Sequence, residues 1–61
     1  MTASERKLLH DAASLIEDTA DSLRACCTVG HKWDSASDRK TWEREMRLAL
    51  RLRELAHRRA A

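Results

Sequence analysis

Cys26 and Cys27 stand side by side, with His31 four residues past Cys27 and Asp34 beyond it. Thiolate, imidazole and carboxylate are the groups that hold transition metals or serve as nucleophile and base. Their spacing here fits neither chemistry. There is no C-x2-C pair and no H-x3-5-H partner, so the chain offers too few clustered ligands for zinc. A bridge between adjacent cysteines would be strained. The reading that remains is packing, with both thiols near the end of a helical stripe, where Cys behaves as a small apolar residue. No metal and no cofactor are expected. A Cys-based metal or redox sensor stands as the third of three functional readings.

His10 and His57 lie toward opposite ends of the sequence, near Asp11 and Glu54. An antiparallel pair of helices would bring them together. Acid–base catalysis needs more than two imidazoles, however, and no nucleophile or oxyanion donor accompanies them. Both are expected on the solvated surface, no catalytic residue is assigned, and the chain is not expected to be an enzyme.

The more informative pattern is basic. Lys40, Arg44, Arg47, Arg51 and Arg58 fall at steps of four, three, four and seven, with Arg39, Arg53 and Arg59 beside them. Such steps line one helix face. Arg is favoured at protein interfaces and on phosphates because its planar guanidinium donates in a fixed fork. Glu43 and Glu54 neutralise part of the row, which is what a plain solvated face would also show. Trp33 falls between the helices. It either folds back over the end of the hairpin or stays open as an anchor for a partner. Trp33, Lys40, Arg44, Arg47 and Arg51 are the expected partner-binding residues.

Two helices must position these groups. Thr2 and Glu5 form a T-x-x-E capping box that opens helix 1 over residues 3–27. Leu9, Ile16 and Leu23 recur at seven-residue steps, Ala12, Thr19 and Cys26 follow three residues after each, and Ala13, Ala20 and Cys27 widen the stripe. Leu8 and Leu15 flank it. Gly30 is expected as the left-handed residue that ends the helix. A loop over 28–34 is short enough to make the helices antiparallel neighbours. Asp34, Ser35 and Ser37 are all competent N-caps for helix 2, expected over residues 35–59. Its stripe is Trp42, Leu48, Ala49, Leu52, Leu55 and Ala56, widened by Met46 and Leu50. Glu43 with Arg47 and Glu54 with Arg58 are i,i+4 pairs in the favourable order.

Composition sets the limits. The chain has 61 residues, no Pro, one Gly and 3% aromatic residues, which excludes most β folds. No apolar run approaches the roughly 18 residues of a membrane span. Residues 1–20 lack the apolar core of a signal peptide, so a cytoplasmic location with reduced thiols is expected. The formal charge of +2 is too small for a dedicated nucleic-acid binder. It is also uneven, with five acids and three bases in residues 1–27 against five acids and nine bases in residues 28–61. Nine Arg against three Lys, with ten Ala, suggest GC-rich coding and hence a bacterial or phage source.

Below about 70–80 residues one core rarely supplies more than about 3–5 kcal/mol. Helix 2 also carries a wider stripe than one neighbour can cover. The fold class expected is therefore all-α, an antiparallel two-helix hairpin that dimerises into a four-helix bundle. Leu9, Ile16, Leu23, Trp42, Met46, Leu48, Leu52 and Leu55 are the expected core and dimer residues.

The chain resembles small helical-hairpin proteins encoded by temperate phages and prophages of Pseudomonas-like bacteria. The resemblance rests on Leu8-Leu9-x-x-Ala12-Ala13, on Cys27-Thr28-Val29-Gly30-His31-Lys32-Trp33 at the turn, and on Leu48-Ala49-Leu50-Arg51-Leu52-Arg53-Glu54-Leu55 in the second helix. It implies a dimeric hairpin that binds and disables a bacterial host protein, such as a transcription activator, a pilus assembly factor or a defence complex. The first functional expectation is therefore a non-enzymatic protein–protein interaction module. The alternative is a small nucleic-acid-binding or transcription-regulating protein using the basic face of helix 2. A helix-turn-helix normally needs a supporting third helix, for which there is no room.

Overall fold

The computed structural model describes residues 1–58. Helix α1 spans Ala3–Cys27, a two-residue strand β1 covers Thr28–Val29, its partner β2 covers Lys32–Trp33, and helix α2 spans Ala36–His57. The helices run antiparallel side by side in a rod of 44 × 17 × 15 Å.

Local sequence explains both helix starts. The Thr2 hydroxyl accepts from the Glu5 amide at 3.1 Å, and Glu5 Oε1 accepts from the Thr2 amide at 3.2 Å. Two of the four free N–H groups of the first turn are thereby satisfied. Of the three candidate caps for α2, Ser35 takes the position, its Oγ accepting from the amides of Ser37 and Asp38. The far end of α2 comes earlier than expected. Arg58 has extended backbone and caps the helix through its N–H to the Leu55 carbonyl at 3.2 Å. Arg59, expected in the last turn, lies outside the described residues.

The connection is more regular than the expected loop. Thr28 pairs with Trp33 and Val29 with Lys32 in a minimal antiparallel ribbon. Gly30 has φ 55° and His31 has φ 67°. Positive φ at both corner residues is what a two-residue hairpin turn with the right twist requires. Gly30 is therefore left-handed as expected, but as a hairpin corner. The helix itself ends at Thr28 in extended backbone, its Oγ donating back to the Arg24 carbonyl at 2.6 Å. Thr28 and Val29 are β-branched, so the chain leaves the helix readily into strand.

The buried centre differs from the expected one. The only fully buried residues among those described are Ala13, Ala20, Ala49 and Ala56. Each pair is separated by seven residues, so both helices present an alanine row and the backbones approach closely. Leu9, Ile16, Leu23, Trp42, Met46 and Leu52 flank this seam half-buried. Leu48 and Leu55, expected in the core or in a dimer contact, are 50% and 40% exposed and lie outside the core of the single chain. The reason is geometric. The seam between two cylinders accepts a narrow strip, and a residue about 100° around from Ala49 cannot reach it.

Candidate functional site

Three groupings emerge once the alanine seam is fixed. The first is a polar clasp along one side. Arg53 lies four residues after Ala49 and three before Ala56, at the seam edge. Its guanidinium donates to Glu17 Oε1, with the Nε contact at 3.2 Å, to Ser14 Oγ at 3.1 Å and to His10 Nδ1 at 3.2 Å. His10 is half-buried and meets the exposed His57 edge to face, ring centroids 5.0 Å apart. The histidines are thus brought together as expected, but His10 serves as an acceptor for Arg53 rather than as a free surface group. Nothing nucleophilic joins them. Sequence reasoning placed Arg53 on the outer basic face. Its position between two seam alanines is the signal that marks it as an interhelix residue.

The second grouping closes the turn end. Trp33 folds back on Trp42, ring centroids 5.7 Å apart, and the Arg24 guanidinium stacks on the other ring at 5.3 Å from its centroid. Of the two placements open to Trp33, the half-buried one is taken. The thiols lie here too. Cys26 is exposed and Cys27 half-buried. Burial raises the Cys27 thiol to about 11, with the Cys26 thiol and the Asp38 carboxylate pushing the same way. A thiol so raised stays protonated at neutral pH and is neither a ready nucleophile nor a ready ligand. Among the described residues no group of three His, Cys, Asp or Glu side chains is placed to hold a metal ion.

The third grouping is a surface. Opposite the Arg53 clasp, Leu9, Ile16 and Leu23 of α1 and Leu52 of α2 border the seam half-buried. Beyond them the same face continues to Leu8 and Leu15, 69% and 68% exposed, and to Leu48 and Leu55. Ala12, Thr19 and Cys26 fill the space between. All three ion pairs among the described residues lie off this face: Arg53 with Glu17 in the clasp, Lys7 with Asp11 at 2.7 Å and Arg39 with Glu43 at 3.1 Å. Glu43 therefore pairs backward with Arg39 instead of forward with Arg47 as expected, and Glu54 with Arg58 does not appear among the ion pairs of the described residues.

Lys40, Arg44, Arg47 and Arg51 are all exposed on α2. Arg44, Leu48, Arg51, Leu55 and Arg58 follow steps of four and three, so they share one ridge in which cations alternate with leucines. The basic row thus borders the apolar face directly. A shallow hollow on this ridge is lined by Leu48, Arg51, Leu52 and Leu55, with Glu54 and Arg58 at its rim. Among the described residues no helix is long and apolar enough to cross a membrane. No protein-family model, curated protein or solved structure matches the chain.

Proposed function

We propose that this chain is a non-enzymatic protein–protein interaction module that pairs with a second copy through its leucine face and uses its basic row toward a protein partner. The observation that carries this reading is the continuous apolar face made by Leu8, Leu15, Leu48 and Leu55 beside half-buried Leu9, Ile16, Leu23 and Leu52. Contiguous exposed apolar surface on a small protein marks an interaction site. Size argues in the same direction. A folded monomer of 7.0 kDa has about 4,000 Å² of accessible surface, against 4961 Å² here. The excess is close to the roughly 800 Å² that each partner gives up in an interface of standard size. The radius of gyration is 14.0 Å, where a compact chain of this length has about 10.5 Å and one of twice the length about 13.7 Å. A hairpin this long becomes compact when a second one lies along it. The product is a four-helix bundle.

The basic row supports a second, acidic partner. Lys40, Arg44, Arg47 and Arg51 are the residues proposed to meet it, with the open side of Trp33 at the turn. The resemblance to phage-encoded hairpins suggests a bacterial host protein in that role, and stoichiometric binding as the mechanism. The same arginines favour nucleic acid as the second reading.

Light scattering at micromolar concentration tests the pairing. A mass near twice 7.0 kDa is expected, and Leu15→Glu with Leu55→Glu should return a monomer. Salt separates the two partner classes. A DNA binder loses affinity with a log–log slope of about −0.9 per phosphate contacted. A protein partner held by desolvated anchors loses association rate but keeps most of its affinity. Tight, sequence-specific DNA binding at physiological salt would replace the protein-partner reading.

A further inference from the structure

We infer that Glu45 makes self-pairing proton-linked: covering the leucine face draws a proton onto this carboxylate in each copy, so the pair tightens in acid and loosens as pH rises. The inference rests on the pairing reading above and adds its regulation. Either direction of one copy along the other gives the same result.

Asp38, Glu45 and Leu52 follow one another at seven-residue steps on α2, and all three are half-buried. They form the row beside Trp42, Ala49 and Ala56, on the side that carries Leu48 and Leu55. Leu52 is an apolar member of the leucine face. Glu45 takes the equivalent place two helical turns nearer the ribbon, so the stripe runs from a leucine into a carboxylate. Its Oε2 is fully buried and accepts no hydrogen bond among the described residues. The indole N–H of Trp42, three residues earlier, is also buried without a partner, so the two do not bond to each other.

None of the ion pairs among the described residues includes Glu45. The positions three and four residues away on α2, where a helical ion pair would form, are Thr41, Trp42, Leu48 and Ala49. Arg44 is its neighbour in sequence but points about 100° around the helix, exposed on the basic row. Asp38 stands in the first turn of α2, where the helix dipole favours its charge. Across the seam, Glu45 falls between the contact of Arg53 with Glu17 and that of Arg24 with Trp42. The charged groups of α1 in that interval are Glu17, held by Arg53, Arg24, laid over Trp42, and exposed Asp18 and Asp21. The thiols of Cys26 and Cys27 follow toward the turn, where Lys32 of β2 is exposed.

In the single chain Glu45 is half-buried, so part of it still meets water. An interface of standard size takes roughly 800 Å² from each partner. A rod 44 Å long and 17 Å wide supplies that only along most of its length. Pairing therefore covers the Glu45 row together with the leucines. A carboxylate stripped of water, with no cation or donor to meet it, holds its proton more tightly than one in water. Pairing thus takes up protons, and mass action makes the pair tighter where protons are abundant. The protonated form is the one favoured in the pair. The gain is therefore present in acid and is lost as pH rises through the value at which paired Glu45 ionises.

Sedimentation velocity on the full chain at about pH 7.5 and about pH 5 tests this. The wild-type dissociation constant should fall by about tenfold or more on going to acid. Glu45→Gln, which keeps the shape and removes the charge, should pair at the higher pH about as tightly as wild type does in acid, and should lose most of the pH dependence. The histidines charge over the same range, but they are common to both chains, so the difference between the two reads Glu45. Asp18→Asn, which removes a charge from the outer side of α1, should behave as wild type. A Glu45→Gln chain of intact helicity that keeps the wild-type pH dependence, or that pairs no more tightly at the higher pH, overturns the inference. An equal effect of Asp18→Asn overturns it too, since net charge would then account for the change. A monomeric mass for wild type and Glu45→Gln alike at both pH values overturns the pairing reading itself.

Discussion

At the scale of single residues, a raised thiol and a lowered carboxylate give opposite pH dependences. Cys27 holds its proton to about 11 when folded, against an ordinary value of 9.0. The unfolded chain thus gives up this proton first, and stability should fall as pH rises through that window. Replacing Cys27 by Ala should remove that part of an alkaline melt while leaving helicity intact. Alkylation at neutral pH should reach exposed Cys26 well before Cys27. Glu5 runs the other way. Its hydrogen bond from the Thr2 amide holds its carboxyl below the usual 4.5. The stabilisation it gives is present above that value and disappears as pH falls through the folded value, so α1 should fray from its start in acid. Thr2→Ala should cost about 1 kcal/mol, read by urea unfolding. His31 is a non-glycine residue at φ 67°, and His31→Gly should be neutral or stabilising by up to about 1 kcal/mol in the same assay.

At the scale of elements, the alanine seam decides how close the helices come. Ala20→Leu inserts a branched side chain where 0% of the alanine is exposed. Overpacking of this kind costs about 1–3 kcal/mol. The prediction is a lower urea midpoint, whereas Leu15→Ala, on an exposed position, should leave the midpoint of the single chain nearly unchanged. Arg53 clasps both helices through Glu17, Ser14 and His10. Arg53→Ala leaves a half-buried carboxylate without its cation, and a loss of about 1–2 kcal/mol is expected. Trp33→Ala removes the aromatic lid from Trp42. Any partner affinity lost in that variant is therefore compared with its melting temperature, because fold and contact depend on the same ring.

At the scale of the whole molecule, a rod 44 Å long and 17 Å wide has much surface and little interior. Its buried centre holds four alanines and no fully buried large side chain among the described residues. Under the proposed pairing, association adds stability and mass action ties melting to concentration. The melting temperature should rise with protein concentration in wild type and stop doing so in Leu15→Glu with Leu55→Glu. A concentration-independent, cooperative wild-type melt would count against pairing.

Much of this architecture is written in local sequence. The capping box at Thr2 and Glu5, the N-cap at Ser35 and the heptad spacing of Leu9, Ile16 and Leu23 specify two helices and a short connection, because caps and periodicity act within a few residues. The positive φ at Gly30 is legible for the same reason, since only glycine takes it without cost. What the sequence leaves open is which stripe becomes the seam. Leucines and alanines recur at the same seven-residue period, and transfer from water favours burying the larger side chain. Tertiary structure chose the alanines, because two backbones in close contact leave room for a methyl group and little more. That choice pushed Leu48 and Leu55 outward onto the leucine face, drew Arg53 inward to Glu17, and folded Trp33 onto Trp42. None of these follows from spacing along one chain, since each depends on what stands at the same height on the other helix.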